Sequence, residues 1–353
     1  MGIYILGHPE NITKISLKGR PLTQCYSWNN YGNLGDDWIG EVSRQYFDNP
    51  VGVREVRSMN PLWLGRHRLV REDQHMAKGK LVFWGGGWIA GDRPESKTIR
   101  NWVRHLNGPI KEVLGVGLGI GPFLNSTKRH QSDIDHFFGK LSGRISVRTS
   151  TDLEHIPNGH SAILGCDVAL LDKRFYGDPS YSGSQSDYVI FSFPSYSSHW
   201  VASRPWMTER WYLDYVRNLA EDVRRENRIV FAEFDEVRGS ISDSSYWSHL
   251  PAKVVRLKSM DEATALFSNA KAVYAGRLHA AILGAVIGNP TLALAYHHKF
   301  GVTAELGIPS MGLTREPTNL GAPVSADLSI LDRVRQRGLV GLTEVGVLSA
   351  NDS

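Results

Sequence analysis

The chain has 353 residues, of which 41% are hydrophobic and 10% aromatic, enough apolar material for two cores of ordinary size. Its 40 Lys and Arg residues are spread along the sequence and nearly balanced by 36 Asp and Glu. The formal net charge of +4 therefore gives no reason to expect a nucleic-acid partner, although anionic small molecules stay compatible with it.

The first half of the sequence alternates short apolar runs with amphipathic stretches, a pattern typical of a parallel sheet covered by helices. The predicted strands are 80–84, 112–116, 144–148 and 162–164, and the predicted helices are 96–106 and 131–141. Two strand ends are rich in glycine and include Gly86 and Gly117. Because glycine lets the backbone approach a ligand closely, these loops are candidate parts of a binding site.

A stretch rich in Ser, Gly and Tyr at 176–187 has no apolar period, so we interpret it as a linker between two domains. A second α/β series follows, with predicted strands at 188–193 and 228–232 and a long predicted helix at 205–227. Ser259 and Glu262 form a capping-box pattern that opens another helix.

A last helix is predicted at 328–337, where Gly338 stops it. The predicted organisation is an N-terminal Rossmann-like domain over 1–180, a C-terminal one over 188–325, and a C-terminal helix and tail over 326–353.

The tract Gly276-Arg277-Leu278-His279 carries the strongest functional signal. It lies between a predicted buried strand at 271–275 and a predicted buried helix at 280–287. The free N–H groups at the start of such a helix favour anions, and the tract adds a fixed cation and a titratable imidazole. We therefore predict an anion site with an acid/base.

The next predicted strand, 290–296, delivers His297, His298 and Lys299 at its C-terminal end, where open α/β sheets bind ligands. The two histidines invite a metal site. We do not expect one, because adjacent side chains on an extended segment point in opposite directions.

The two cysteines, Cys25 and Cys166, have neither the spacing of a zinc site nor a disulfide framework, which favours a reducing compartment. No segment approaches the ~20 apolar residues that span a bilayer, and the N-terminus lacks the pattern of a signal peptide. We expect a cytoplasmic protein. A peripheral contact with a membrane, for example through the arginines of the long helix at 205–227, stays compatible with the sequence.

Several tracts, in one order over roughly residues 30 to 310, resemble the polysaccharide pyruvyl transferase family. This family moves a pyruvyl group from phosphoenolpyruvate onto a sugar as a ketal. The matching tracts are short and glycine-rich or charged: Asn33-Leu34-Gly35-Asp36, Gly85-Gly86-Gly87, Gly115-Val116-Gly117-Leu118-Gly119, Gly121-Pro122, Ser146-Val147-Arg148-Thr149, Asp167-Val168-Ala169-Leu170, Gly276-Arg277-Leu278-His279, Tyr296 and Lys299. Each tract alone is common, whereas the ordered set is fairly specific.

The resemblance implies an α/β fold of two Rossmann-like domains facing a central cleft, as in the B-type glycosyltransferases. It implies that Arg148, Arg277 and Lys299 hold the carboxylate and phosphate of phosphoenolpyruvate, with Leu278 in the same site, and that His279 is the general acid or base. No metal or cofactor is implied, since phosphoenolpyruvate is the donor substrate.

The same resemblance places Asn33 and Asp36 on the side of the cleft formed by the other domain, with Asp36 as a second catalytic candidate. A carboxylate there could accept a hydroxyl proton or hold the sugar. The implied partners are phosphoenolpyruvate and a saccharide acceptor, which could be lipid-linked. The acidic strand exit at 232–236 and the aromatic loop at 195–200 depart from the family pattern and could shape an unusual acceptor site.

The chemistry suits these residue types without the resemblance. Phosphoenolpyruvate is a compact trianion, so its site needs several cations, and guanidinium groups suit carboxylate and phosphate. Ketal formation needs a proton delivered to the methylene carbon while a sugar hydroxyl attacks the adjacent carbon. A histidine with a pKa near neutrality can perform such transfers.

Two other functions stay open. A glycosyltransferase of the same fold would use a basic helix start for the diphosphate of a nucleotide sugar, and a catalytically silent protein would keep only the anion pocket. Structural alternatives stay open as well. Arg277 could pair with an acid such as Asp235, His279 could be a buried core histidine, and Asn33 and Asp36 could form only a turn and a helix cap.

Overall fold

The computed structural model of the protein describes residues 4–6, 23–26, 33–47, 51–55, 80–86, 112–121, 128–177, 186–196, 208–234, 243–312 and 321–348. The chain divides into two compact units, both discontinuous in sequence. The N-terminal unit comprises Met1–Asn29, Ile39–Leu171 and Arg337–Ser353, and the C-terminal unit comprises Asn30–Trp38 and Asp172–Gln336.

Two hydrogen bonds explain why these units differ from the continuous domains predicted above. The backbone N–H of Leu34 donates to the carbonyl of Phe234 at 2.7 Å, which ties residues near 34 to the C-terminal unit. Arg337 Nε donates to the carbonyl of Gly165 at 2.6 Å, which ties the last helix to the N-terminal unit. Both bonds join residues that are far apart in sequence and leave no local pattern.

The N-terminal unit contains a five-stranded sheet in the order β1-β3-β2-β4-β5 and a parallel two-stranded sheet of β6 and β7. In the larger sheet β1 pairs antiparallel with β3, and the other neighbours are parallel. The strands are β1 (Tyr4–Leu6), β2 (Thr23–Tyr26), β3 (Val51–Glu55), β4 (Lys80–Trp84), β5 (Glu112–Val116), β6 (Ile145–Val147) and β7 (Ala162–Leu164).

The helices assigned to this part of the sequence are α1 (Leu34–Ser43), α2 (Lys128–Phe138) and α3 (Ser150–Glu154), followed by a 3-10 turn at Val168–Leu171. Helix α2 buries Ile134, Phe137 and Phe138 in the same core as Phe83 and Val113 of the sheet. These three positions lie at helical spacing, which is why the sequence predicts this helix.

The C-terminal unit contains a six-stranded sheet in the order β10-β9-β8-β11-β12-β13, with every pair of neighbours parallel. Its strands are β8 (Tyr188–Ser192), β9 (Arg228–Glu233), β10 (Lys253–Arg256), β11 (Val273–Ala275), β12 (Thr291–Ala295) and β13 (Ser310–Gly312). The chain runs outward from β8 to β10 and then returns to place β11 on the other side of β8. The strand order therefore reverses between β8 and β11, where open α/β sheets form a ligand crevice at their carboxyl edge.

The remaining helices are α4 (Glu209–Val223), α5 (Asp243–Tyr246), α6 (Met260–Ser268), α7 (Leu278–Ile287), α8 (Gly301–Glu305) and α9 (Leu328–Glu344). Helix α7 is buried along its whole length apart from His279, which is half-buried. The predicted serine cap of α6 is confirmed, because Ser259 Oγ accepts the N–H of Glu262 at 3.2 Å. The Glu262 carboxylate reaches back as in a capping box, but it accepts the N–H of Lys258, one residue before the cap, at 2.9 Å. The predicted α/β fold with parallel sheets is also confirmed.

The prediction that Gly338 stops the last helix is wrong, since α9 continues to Glu344. A Cβ atom at position 338 would overlap Cys166 Sγ and lie 2.9 Å from Leu171 Cδ2. Glycine serves here to let the helix approach the 166–171 segment closely.

Some predictions fall outside the described residues: the helix at 96–106, Gly87, most of the linker at 176–187, Asp235, and the loop beyond Tyr196. Among the helices that the structure describes, none is long and apolar enough to cross a membrane.

Candidate active site

The carboxyl ends of β8 and β11 are joined directly at the point where the strand order reverses. The backbone N–H groups of Gly276 and Arg277 both donate to the carbonyl of Ser192, at 2.8 and 3.1 Å. A Cβ atom on Gly276 would lie 2.8 Å from Phe193 Cδ1, so a side chain at this position would push the two strand exits apart. The glycine thus fixes the place at which Arg277 leaves the sheet.

Arg277 is the N-cap residue of α7, and its side chain makes no cap hydrogen bond to that helix. Instead, Arg277 Nε donates to Asp243 Oδ2 at 2.9 Å, and Nη2 donates to the same oxygen. The other carboxylate oxygen of Asp243 accepts the N–H of Ser195 at 2.7 Å. The side chains of Arg277 and Asp243 are 15% and 4% exposed, so this is a buried ion pair. The structural alternative for Arg277 is thus realised, with Asp243 as its partner.

His279 lies in the first turn of α7, where the unpaired N–H groups of a helix create a positive potential. The backbone of Gly35 in α1 lies against its imidazole, since a Cβ atom on Gly35 would overlap His279 Nδ1. The indole of Trp38, one turn further along α1, meets the imidazole edge to face, with ring centroids 6.3 Å apart and planes at 71°. The structure thus brings together the Asn33–Asp36 and Arg277–His279 tracts, both in the C-terminal unit.

Asn33 and Asp36 are half-buried at the start of α1. Asn33 Oδ1 accepts the N–H of Gly35 at 3.0 Å, and the Asn33 carbonyl accepts the N–H of Asp37 at 3.0 Å. Asn33 therefore does the work of a helix cap, as its structural alternative predicted. Asp36 lies in the first helical turn, where a negative charge is favoured.

Lys299 and the two histidines form a short half-buried segment after β12. Lys299 Nζ lies 5.6 Å from the centroid of the Tyr296 ring, a cation–π distance. The rings of His297 and His298 lie together, with centroids 3.9 Å apart, so the expectation that they point in opposite directions is wrong. The reason is that His297 Nδ1 accepts the N–H of Lys299 at 3.3 Å, which turns the chain into a 3-10 turn. Among the described residues no group of three or more His, Cys, Asp or Glu could hold a metal ion.

Two tyrosines that the sequence did not single out, Tyr212 and Tyr246, lie near each other, and Tyr212 also lies close to the Arg277–Asp243 pair. Tyr212 donates its hydroxyl to the carbonyl of Pro194 at 3.0 Å. Burial, and then the charges of Tyr296 and Asp243, raise the pKa of Tyr212 well above its usual value, while Arg277 lowers it. Burial, and then the neighbouring Glu209 carboxylate, also raise the pKa of Tyr246. Both hydroxyls therefore stay neutral across the physiological pH range.

Arg148 belongs to the N-terminal unit and is buried between two carboxylates. Its Nε lies 3.7 Å from Asp152 Oδ2, and its Nη1 lies 3.6 Å from Asp167 Oδ2. A Cβ atom at position 119 would overlap the guanidinium, so Gly119 makes the space for it. Arg148 thus belongs to a buried cluster of charged side chains with Asp152 and Asp167, an arrangement typical of a structural role.

Gly86 and Gly117 also belong to the N-terminal unit, with φ angles of 80° and 58° that favour glycine. The Gly86 carbonyl accepts the N–H of Gly119 at 2.8 Å. A Cβ atom on Gly117 would lie 2.6 Å from Val168 Cγ1 and 2.9 Å from the Cys166 carbonyl. Among the described residues, the role of these two glycines is to let the backbone pack closely against neighbouring segments of the same unit.

The arginines of α4 do not form an unpaired basic face. Four of them pair with acids of the same helix or its end, over distances of 2.7 to 3.9 Å: Arg210 and Arg217 with Asp214, Arg224 with Glu221, and Arg225 with Asp222. These exposed pairs favour a solvated surface over contact with an acidic membrane.

The sequence did not indicate Asp243, which pairs with Arg277, Trp38, which contacts His279, or Asp172, which binds the Trp38 indole. Trp38 carried a usable signal, because it follows Gly35 by three residues and therefore shares a helix face with it. Asp243 and Asp172 gave no such signal, because their partners are distant in sequence. Asp243 pairs with Arg277, 34 residues away, and Asp172 binds Trp38, 134 residues away.

Several solved structures are similar to this chain. A structure of UDP-GlcNAc 2-epimerase from Methanocaldococcus jannaschii, in complex with UDP-GlcNAc and UDP, is 11% identical, with 90% of this chain and 99% of the epimerase covered and a TM-score of 0.48. A functionally uncharacterised protein from Klebsiella pneumoniae is 15% identical, with 80% and 87% covered and a TM-score of 0.40.

A TarM variant from S. aureus is 10% identical, with 79% of this chain and 51% of TarM covered and a TM-score of 0.40. The chain thus spans about half the length of TarM. Scores below 0.5 say nothing about function.

No curated protein sequence matches the chain. The family model described as "Polysaccharide pyruvyl transferase" matches residues 33–298, which run from the Asn33 cap of α1 to the histidine pair after β12. The match covers the greater part of the sequence and includes both tracts that meet at His279. The chain therefore belongs to the polysaccharide pyruvyl transferase family.

Proposed function

We propose that this protein transfers the pyruvyl group of phosphoenolpyruvate to a saccharide acceptor and forms a ketal. One observation carries the proposal. Arg277 caps α7 and His279 lies in its first turn, at the carboxyl edge of the sheet where the strand order reverses between β8 and β11. An anion is favoured at such a place by the helix N-terminus, and an acid/base stands beside it.

In the proposed donor complex, the N–H groups of the α7 first turn and the Arg277 guanidinium bind the phosphate or carboxylate of phosphoenolpyruvate. The bond to Asp243 holds the Nε and Nη2 edge of Arg277, so the guanidinium is oriented in advance. Lys299 adds a point charge after β12, the strand next to β11. Arg148 is a weaker candidate than its sequence position indicated, because Asp152 and Asp167 already compensate its charge.

The proposed reaction has two steps. In the first, one sugar hydroxyl attacks the carbon that bears the phosphate, its proton is removed, and the methylene carbon gains a proton to become a methyl group. In the second, another hydroxyl of the same sugar loses its proton and displaces inorganic phosphate, which closes the ketal ring. His279 delivers the proton in the first step and accepts one in the second.

His279 is half-buried, with its Nε2 atom buried and its Nδ1 side against Gly35, and this partial exclusion of water from the ring suits the proposed proton transfers. Asp36 lies in the first turn of α1, the helix that also carries Gly35 and Trp38. We propose that Asp36 acts on the acceptor sugar, either as the base that removes the proton of the attacking hydroxyl or by accepting a hydrogen bond from the sugar. Membership of the family implies a saccharide acceptor, and a lipid-linked form of it is part of the proposal.

Calorimetric titration with phosphoenolpyruvate and with a uridine diphosphate sugar tests the proposal, using the wild type, Arg277→Ala and His279→Ala. We expect phosphoenolpyruvate to bind the wild type. Arg277→Ala should lose about 2 to 5 kcal/mol of binding free energy, by analogy with the loss of one partner of a charged pair. His279→Ala should keep the affinity and lose phosphate release in the presence of glycan acceptors.

Arg210→Ala is a suitable control, since this side chain is 92% exposed on α4 and pairs only loosely with Asp214. Binding of the nucleotide sugar alone would contradict the proposal and indicate a glycosyltransferase. Phosphoenolpyruvate binding without phosphate release, over a panel of glycan acceptors, would indicate a silent anion-binding protein.

A further inference from the structure

The imidazole of His279 contacts two groups from the first turns of α1, the backbone of Gly35 and the indole of Trp38. The Gly35 backbone closes one side, because no side chain fits between it and the imidazole. The Trp38 indole meets the ring edge to face at 6.3 Å. A shift of the indole would therefore open room for the imidazole to rotate.

The indole is itself held from the far side by a buried carboxylate. Trp38 Nε1 donates to Asp172 Oδ2 at 2.7 Å, and both side chains are 0% exposed. Arg174 donates to the same carboxylate through Nε, at 2.9 and 3.1 Å to its two oxygens, and through Nη2 at 2.7 Å. A charge-assisted bond in a dry site is short and directional, so it fixes the plane of the indole.

Local structure explains only half of this arrangement. Asp172 is the N-cap of the 3-10 turn Lys173–Phe175, and its Oδ1 accepts the Arg174 N–H at 3.0 Å. The cap of the 3-10 turn uses only Oδ1 of Asp172, so it does not account for the contact with Trp38. The bond from Oδ2 to Trp38 bridges 134 positions in sequence and ends one ring away from His279.

We infer that Asp172, acting through the Trp38 indole, is a positioning residue for His279. The inference rests on the proposed function, in which His279 moves the protons. A proton donor must lie within hydrogen-bond reach of the accepting atom, and a displacement of about 1 Å can cost up to about 100-fold in rate. The carboxylate does not touch the substrate; it fixes the indole, and the indole fixes the imidazole.

A double-mutant cycle tests the inference with Asp172→Asn and Trp38→Phe. Trp38→Phe keeps an aromatic ring but removes the N–H that Asp172 binds. We expect Asp172→Asn to lower kcat about tenfold with the KM for phosphoenolpyruvate within about twofold. In the Trp38→Phe background the same substitution should change kcat less than about twofold, because the link is already broken.

The matched control is Asp261→Asn. Asp261 is 93% exposed and faces the other end of Arg174, with 3.7 Å between its Oδ1 and Arg174 Nη1. The Asp261→Asn variant should keep the wild-type kcat. Equal losses of kcat from Asp172→Asn in both backgrounds, or a rise in KM at constant kcat, would overturn the inference.

A second measurement does not depend on activity. In protein labelled with ¹³C-histidine, the ring signals of His279 are assigned by their loss in His279→Gln. We expect them to shift or broaden in Asp172→Asn and in Trp38→Phe, with no further change in the double variant. Unchanged signals in both single variants would overturn the inference. If Asp172→Asn does not fold, Trp38→Phe decides alone by the same two readouts.

The two proposals can fail separately. If no pyruvyl transfer is found but the His279 signals follow this cycle, the proposed function fails and the positioning contact stands. If transfer is found and depends on His279 but the cycle is additive, the function stands and the positioning role fails.

Discussion

Arg277 would meet an anionic donor with one edge of its guanidinium already bound to Asp243. The pair as a whole is neutral, so attraction of the donor comes from the helix N-terminus, Lys299 and the directed N–H groups more than from an uncompensated arginine charge. The benefit of Asp243 is orientation: the same carboxylate also holds the Ser195 N–H beyond β8.

Replacing Asp243 by Ala should destabilise the fold and disturb the donor site together. It leaves a guanidinium that is 15% exposed without its carboxylate, and the loss of one partner of a buried pair costs about 3 kcal/mol in unfolding free energy. The KM for phosphoenolpyruvate should rise as well. Urea denaturation and steady-state kinetics measure the two effects.

Asp214→Ala is the control for that experiment, because Asp214 is 50% exposed and pairs with Arg217 on the surface of α4. Its cost should stay below about 1 kcal/mol. An equal cost for the two substitutions would mean that burial of the Arg277–Asp243 pair has no energetic consequence.

Among the helices, α7 and α9 show why local patterns decide some features and not others. Helix α7 reads as a buried helix from its apolar run and ends at Gly288, whose φ of 96° is the left-handed conformation typical of a helix stop. Gly338 offers the same residue type in α9 but lies in the helix interior. The glycine at 338 is explained by its contact with Cys166, a residue distant in sequence that no local pattern could indicate.

Gly338→Ala should therefore lower stability, the opposite of the usual effect in a helix interior, where Ala is favoured over Gly by about 1 kcal/mol. The added methyl group overlaps Cys166 Sγ and approaches Leu171. Thermal melting of Gly338→Ala in the wild-type and Cys166→Ala backgrounds measures this. A melting temperature above that of the wild type in the first background would show that the helix shifts at no cost.

The start of α9 gives a prediction on pH. Asp327 Oδ1 accepts the N–H of Ser329 at 2.8 Å and its hydroxyl at 2.7 Å, and these bonds lower the pKa of the Asp327 carboxyl from 3.8. A lowered folded-state pKa means that the stabilisation is present above the unfolded value and is lost as the pH falls through the folded one. Asp327→Asn should melt below the wild type at pH 7, and the gap should close as the pH falls below 3.8 and through the lowered folded-state pKa. A gap that is constant with pH would contradict the role of the charge.

For the whole molecule, the parallel α/β architecture and most strands of both units follow from apolar runs and glycine exits in the sequence. The strands β1 to β3, β10 and β13 were not predicted. In several of them polar residues such as Gln24, Arg54 and Arg256 interrupt the apolar run on which the strand predictions depend. The Arg277–His279 tract was predicted correctly to lie between a strand and a helix. Its partners were not, since ion pairs and ring contacts between distant residues leave no trace in spacing.

The discontinuous make-up of the two units has a consequence for synthesis on the ribosome. Residues 30–38 are made early, yet they belong with a unit whose other part ends at residue 336, and the N-terminal unit waits for residues after 336. Both units include residues of α9, and Gly35 and Trp38 are made long before His279, the residue that they contact. We therefore expect the surroundings of His279 to form only after most of the chain has been synthesised, whereas domains that are continuous in sequence can form one after another.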